Sequence, residues 1–74
     1  MGKYKTTDLY LSAFLRTTGF KFEIEKKGNK VTFLFEKTDE LLTETTNYFN
    51  GDGNCNPLKY SNSIKNMKNL IYNL

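Results

Sequence analysis

The side chains best placed to do chemistry lie in segment 50–56, where Asn and Asp oxygens stand at every second position. Such spacing is typical of calcium-binding loops. An EF-hand loop that began at Asn50 would need glycine at its sixth position and glutamate at its twelfth, but Cys55 and Ser61 stand there. Turn and capping preferences explain Asn and Gly between two helices. We therefore expect no metal and no cofactor in this segment.

The sequence has few of the residues that other kinds of catalytic site require. The chain has no His and one Cys, so Cys55 lacks a partner for a disulfide, a zinc site or a Cys–His nucleophile pair. Asp39, Glu40 and Glu44 are close in sequence, but acids at a helix start usually complement the helix dipole rather than act as acid and base. No glycine-rich phosphate loop follows a strand. We expect a protein that is not an enzyme.

A lone thiol fits a reducing, cytoplasmic setting. No apolar run is long enough for a signal peptide or a membrane span, so the sequence predicts no membrane association.

Charge is unevenly distributed along the chain, although the net value is only +3. Residues 1–37 hold eight basic and four acidic side chains, residues 38–52 hold four acids and no base, and residues 53–74 hold three lysines and no acid. Solvated faces account for this pattern, and a nucleic-acid surface is the competing interpretation.

The basic and amide side chains define a candidate surface for a partner or for nucleic acid. Its members are Lys59, Asn62, Lys65, Asn66, Lys68 and Asn69 in the last helical segment, with Lys3, Lys5 and Arg16 near the N-terminus. Asn can hydrogen-bond adenine edges in a major groove, but three lysines and no Arg on one helix give weak phosphate affinity. An unknown protein partner and nucleic acid both stay open.

The elements that must position these residues follow from hydrophobic spacing. Thr6 and Thr7 are candidate N-caps of a first helix with Asp8 in its first turn, and Gly19 ends it. The apolar side of this helix is Tyr10, Leu11, Phe14 and Leu15. Two alternating strands then flank a turn at residues 27–29. Their inward residues are Phe20, Phe22, Ile24, Val31, Phe33 and Phe35.

Two further helices are predicted after the hairpin. Thr38 caps the second, which ends at residues 50–51, and Asn56 caps the third, which begins at Pro57. The apolar side of the second helix is Leu41, Leu42, Tyr48 and Phe49. The apolar side of the third is Tyr60, Ile64, Met67, Ile71 and Leu74, widened by Leu70.

The fold class is therefore α+β, in one small domain over residues 1–74. The predicted order of elements is helix, two-stranded antiparallel hairpin, helix, helix. Whether residues 3–5 form a short N-terminal strand is left open. A two-stranded hairpin leaves unpaired backbone groups on its edges. We therefore expect a homodimer through strand edges, with Thr32 and Leu34 as candidate self-association residues. The alternative is that the N-terminal segment or a helix covers the edge.

Three stretches carry a resemblance to a known family: residues 4–15 with Gly19 and Phe20, residues 31–36, and residues 64–72. In order and spacing they resemble the domain of unknown function family DUF5659. This resemblance implies a small cytoplasmic protein of phages or mobile elements in low-GC bacteria. It implies no activity and no site residue. For the function, we expect a protein-interaction module that modulates or inhibits a host or defence protein. The alternative is a nucleic-acid-binding accessory or regulatory protein.

Overall fold

Alternating strands and amphipathic helices form in the expected order. The computed structural model describes residues 2–74, and their elements are β1 (Lys3–Thr6), α1 (Leu9–Thr17), β2 (Phe22–Lys27), β3 (Lys30–Glu36), α2 (Asp39–Phe49) and α3 (Pro57–Tyr72). The strands form one antiparallel sheet in the order β1-β3-β2. The α+β prediction is confirmed, and the N-terminal strand that the sequence left open is present.

Strand β1 makes β3 the central strand of the sheet. Lys5 pairs with Leu34 on one side of β3, and Glu23 pairs with Leu34 on the other. Because the backbone of Leu34 has strand neighbours on both sides, it is not at a free edge. Thr32 lies beyond the end of β1 and pairs with Glu25 of β2. Pairing between the sheets of two copies through Leu34 is therefore blocked, and the full-length free edges belong to β1 and β2.

The β2–β3 hairpin closes through a two-residue turn. Lys27 pairs with Lys30, so Gly28 and Asn29 alone form the loop. Gly28 has a φ of +59°, whereas Asn29 does not have positive φ. The glycine is therefore the residue that this turn requires.

The first helix begins one residue later than its sequence suggests. Asp8, and neither threonine, is the N-cap, because its carboxylate accepts from the backbone N–H groups of Tyr10 and Leu11 at 3.0 and 3.1 Å. Thr6 instead ends β1, and its hydroxyl accepts from the backbone N–H of Asp8. An ionised Asp at this position also complements the helix dipole, which favours it over Thr.

Helices α1 and α2 end in the same way. Gly19 has a φ of +109°, and its N–H donates to Arg16 while the next N–H, that of Phe20, donates to Leu15. Gly51 has a φ of +77°, with equivalent hydrogen bonds at the end of α2. Both ends are Schellman motifs, which satisfy carbonyls that the helix leaves unpaired. The predicted glycine stops are confirmed.

The predicted starts of α2 and α3 are confirmed as well. The Thr38 hydroxyl accepts from the N–H of Leu41 at 3.1 Å. The Asn56 side chain accepts from Leu58 and Lys59, and Pro57 occupies the first helical position.

One apolar cluster joins the sheet to the helices. Its buried members are Leu11, Ala13, Phe14, Leu15, Phe33, Phe35, Leu41 and Met67. Phe22 and Ile24 are half-buried against it and complete the expected inner face of the sheet. Helices α1 and α3 pack together through Phe14 and Tyr60, whose ring centroids are 6.5 Å apart.

Five residues assigned to apolar helix faces are exposed instead. They are Tyr10, Leu42, Phe49, Leu70 and Leu74. In α2 the buried line runs through Leu41, Thr45 and the half-buried Tyr48, which places Leu42 and Phe49 on its flank. Apolar type alone therefore overstated the width of the buried faces.

Gly53 allows the loop between α2 and α3 to lie against the core. A Cβ atom on this glycine would stand 2.9 Å from Cζ of Phe14 and 3.3 Å from Cα of Tyr48. Only glycine fits that approach without moving an aromatic ring of the core. The glycine-rich composition of the loop thus has a packing cause.

No helix in the part of the chain that the structure describes combines the length and the apolar character needed to cross a bilayer.

Replacing Phe33 by Ala tests the core. Phe33 is 1% exposed, and its ring is 5.8 Å from that of Phe22. The cavity should cost about 3–5 kcal/mol of unfolding free energy. Urea denaturation followed by circular dichroism measures this loss. The matched control is Leu34→Ala, on the opposite sheet face, which should lose clearly less. Equal losses in the two variants would contradict the assignment of the inner face.

Candidate functional site

The structure separates the nine residues of the candidate surface into groups. Lys3 and Lys5 lie on β1, Arg16 lies near the end of α1, and the other six lie on α3. All nine are exposed.

The three lysines of α3 do not form one stripe. Lys59 and Lys68 are nine positions apart, which at 3.6 residues per turn places them about 180° apart around the helix axis. Lys65 is about 120° from Lys59 on the same basis. A straight phosphate backbone along α3 would therefore meet one or two of these charges rather than three.

Lys68 contacts an aromatic side chain on one flank of α3. Its Nζ lies 5.9 Å from the ring centroid of Tyr10, within cation–π range. The backbone oxygen of Tyr10 accepts from the hydroxyl of Tyr60 at 3.2 Å. The contact with Tyr10 directs Lys68 toward α1.

Lys3 is engaged on the outer face of the sheet. Its Nζ lies 3.1 Å from Glu36 and 3.2 Å from Glu23. The hydrogen bond to Glu36, followed by the one to Glu23, raises the pKa of Lys3 above its ordinary value. The two carboxylates offset the positive charge of Lys3. This end of the candidate surface therefore attracts a phosphate group only weakly.

The other flank of α3 forms a groove with α1 and β2. Arg16 and Lys59 line it together with Asn62 and Asn66, and its volume is about 530 Å³. Its apolar lining residues are Phe22, Met67 and Leu70. The groove brings together four of the nine predicted residues, and none of its lining side chains is acidic.

A pair of hydroxyls holds the wall of this groove. The Thr17 hydroxyl donates to the carbonyl oxygen of Ala13 at 2.8 Å and lies within hydrogen-bond distance of the Ser63 hydroxyl, at 2.9 Å. Within residues 2–74, the ion pairs involve Lys3 and Lys27 but neither Arg16 nor Lys59. The two groove cations are therefore available to a ligand.

A second depression of about 730 Å³ adjoins the groove. We call it the acidic cleft, because Asp39, Glu40 and Glu44 of α2 line it. Thr17 and Lys59 line both depressions, so the two adjoin at these residues. The sequence identified these acids only as dipole complements, because no sequence signal places α2 beside the start of α3.

Residues 2–74 contain no group of three or more His, Cys, Asp or Glu side chains that could hold a metal ion. Cys55 is a half-buried free thiol beside the acidic cleft.

The family model for a domain of unknown function, DUF5659, matches residues 1–73. The chain belongs to the DUF5659 family. No curated protein and no solved structure matches the chain. The match covers 73 of the 74 residues of this DUF5659 protein.

Alkaline titration tests the α1–α3 contact. Burial, followed by the charge of Tyr48, raises the pKa of Tyr60 from 10.0 to about 12. Because the folded state binds this proton more tightly than the unfolded chain, Tyr60 stabilises the fold fully below pH 10 and loses that contribution as pH rises toward 12. The stability advantage of the parent over Tyr60→Phe should shrink over that interval. Denaturant unfolding at several pH values measures it, and a constant advantage would refute the shift.

Proposed function

We propose that this DUF5659 protein is a non-enzymatic interaction module, encoded by a phage or mobile element, that binds and modulates a host or defence protein in the bacterial cytoplasm. The observation that supports it most is the groove, where Arg16 and Lys59 stand beside apolar side chains. Protein interfaces combine such apolar anchors with a polar rim. The absence of His from the sequence further disfavours general acid–base chemistry.

The nucleic-acid alternative is supported by Asn62 and Asn66, which line the groove beside the two cations. Three features weigh against it. The α3 lysines lie on different sides of the helix, Lys3 is held by two carboxylates, and the acidic cleft adjoins the groove. Carboxylates next to the path of a phosphate backbone oppose binding.

Site-specific photocrosslinking distinguishes these functions. A benzophenone amino acid replaces Asn66 inside the groove or Lys65 on the outer side of α3, and nuclease-treated lysate of a low-GC bacterial host is then irradiated. We expect a discrete protein adduct from position 66 and not from position 65.

The purified protein, without lysate or nuclease, is tested for nucleic-acid binding. A gel shift of mixed DNA and RNA at sub-micromolar protein in physiological salt, without a groove-specific protein adduct, would reverse the order of the two proposals. Equal adducts from both positions would show that the groove is not the interface.

We also propose self-association through the outer edge of β2, since β1 covers the other side of β3. Unpaired N–H and C=O groups on an edge strand favour pairing with another strand. Light scattering across a hundredfold dilution should show a mass near twice 8.6 kDa at high concentration. Leu34→Asp should leave that mass unchanged, because Leu34 lies on the central strand. A constant 8.6 kDa would exclude the dimer.

A further inference from the structure

The groove and the acidic cleft adjoin at Thr17 and Lys59, and we call the two together the depression. At one end Arg16 stands beside Phe22 and Leu70, and Lys21 adjoins the same residues. Lys59 lies at the junction, and the carboxylates of α2 line the other end. A ligand that spans the depression therefore meets positive charge and apolar surface first, and negative charge afterwards.

We infer that this depression binds an extended peptide segment with an acidic side chain at one end, an apolar side chain beside it and a basic side chain at the other end. The inference rests on the proposed function and specifies the chemistry of the partner. The acidic residue contacts Arg16 and Lys59, and the apolar residue packs on Phe22 and Leu70. The basic residue contacts the α2 carboxylates, of which Glu40 is one.

Charge complementarity supports a segment of this composition over other ligands. A uniformly acidic peptide would place carboxylates against Asp39, Glu40 and Glu44, whereas a uniformly basic one would place cations against Arg16. Like charges that face each other across an interface oppose binding, so either peptide is disfavoured. A phosphate backbone meets the same repulsion at the acidic cleft. Asn62, Asn66 and Asn54 line the depression and supply amide donors and acceptors for a peptide backbone.

Selection from a displayed library of random short peptides tests the composition of the ligand. The immobilised full chain should enrich peptides that carry an acid next to Leu, Ile or Phe and a Lys or Arg farther along. Enrichment of uniformly acidic, uniformly basic or uncharged peptides would overturn the inference, and so would failure to enrich any peptide.

Charge reversal then tests the order of charge. Fluorescence anisotropy with an enriched synthetic peptide should show binding about tenfold weaker for Arg16→Glu and for Glu40→Lys. The matched controls are Lys65→Glu and Asp52→Lys, which make the same charge changes outside the depression and should alter binding by less than about twofold. A peptide whose acid is replaced by Arg should regain affinity for Arg16→Glu and lose it for the parent chain.

Two results contradict the inference. One is an equal loss of peptide affinity in the two depression variants and in their controls. The other is displacement of the peptide by a mixed-sequence oligonucleotide. Mass spectrometry of the adduct from position 66 separates this inference from the proposed function. A crosslinked partner segment without both charges would overturn the charge order alone, while absence of any groove-specific adduct would overturn the function.

Discussion

The burial of α1 on every side is the constraint on which the rest of this structure depends. Five consecutive residues, from Leu11 to Leu15, are at most 3% exposed, so the helix has no solvent-facing side over its central turns. A helix surrounded in this way must be covered by several elements at once. The sheet, α2 and α3 do so, and their positions follow from the surface of α1. Even Ser12 is fully buried, and its hydroxyl has no hydrogen-bond partner within residues 2–74.

The backbone groups that α1 leaves unpaired at its two ends are also satisfied locally. Asp8 does this at the start, and the Schellman motif at Gly19 does it at the end. The same glycine turns the chain toward β2, so that Phe22 enters the sheet a few residues after the helix stops. The capping requirement of α1 therefore places β2 beside the helix end, where the groove forms.

Much of this fold could be predicted because the signals are local. Pro57, Thr38, Gly19 and the alternation in β2 and β3 each depend on neighbours a few residues away. The failures arise where two local signals compete or where distant packing decides. Asp8 and the threonines before it are all good N-caps, and only the start of β1 at Lys3 assigns Thr6 to a strand. Leu42, Phe49 and Leu70 have the right spacing for a buried face, but the neighbouring elements do not extend far enough to cover them.

The groove could not be predicted for a related reason, which is the difference in length between α1 and α3. Nine residues of α1 span about 13 Å, whereas sixteen residues of α3 span about 24 Å. Helix α3 therefore continues past α1 over β2, where the carbonyl of Leu74 lies 3.4 Å from Nζ of Lys26. Met67 lies under α1 and is 2% exposed, whereas Leu70, one turn later, is 42% exposed. The same hydrophobic stripe thus belongs to the core where α1 covers it and is exposed where α1 has ended. Because Arg16 stands at that end, the sequence places a cation beside the uncovered apolar surface.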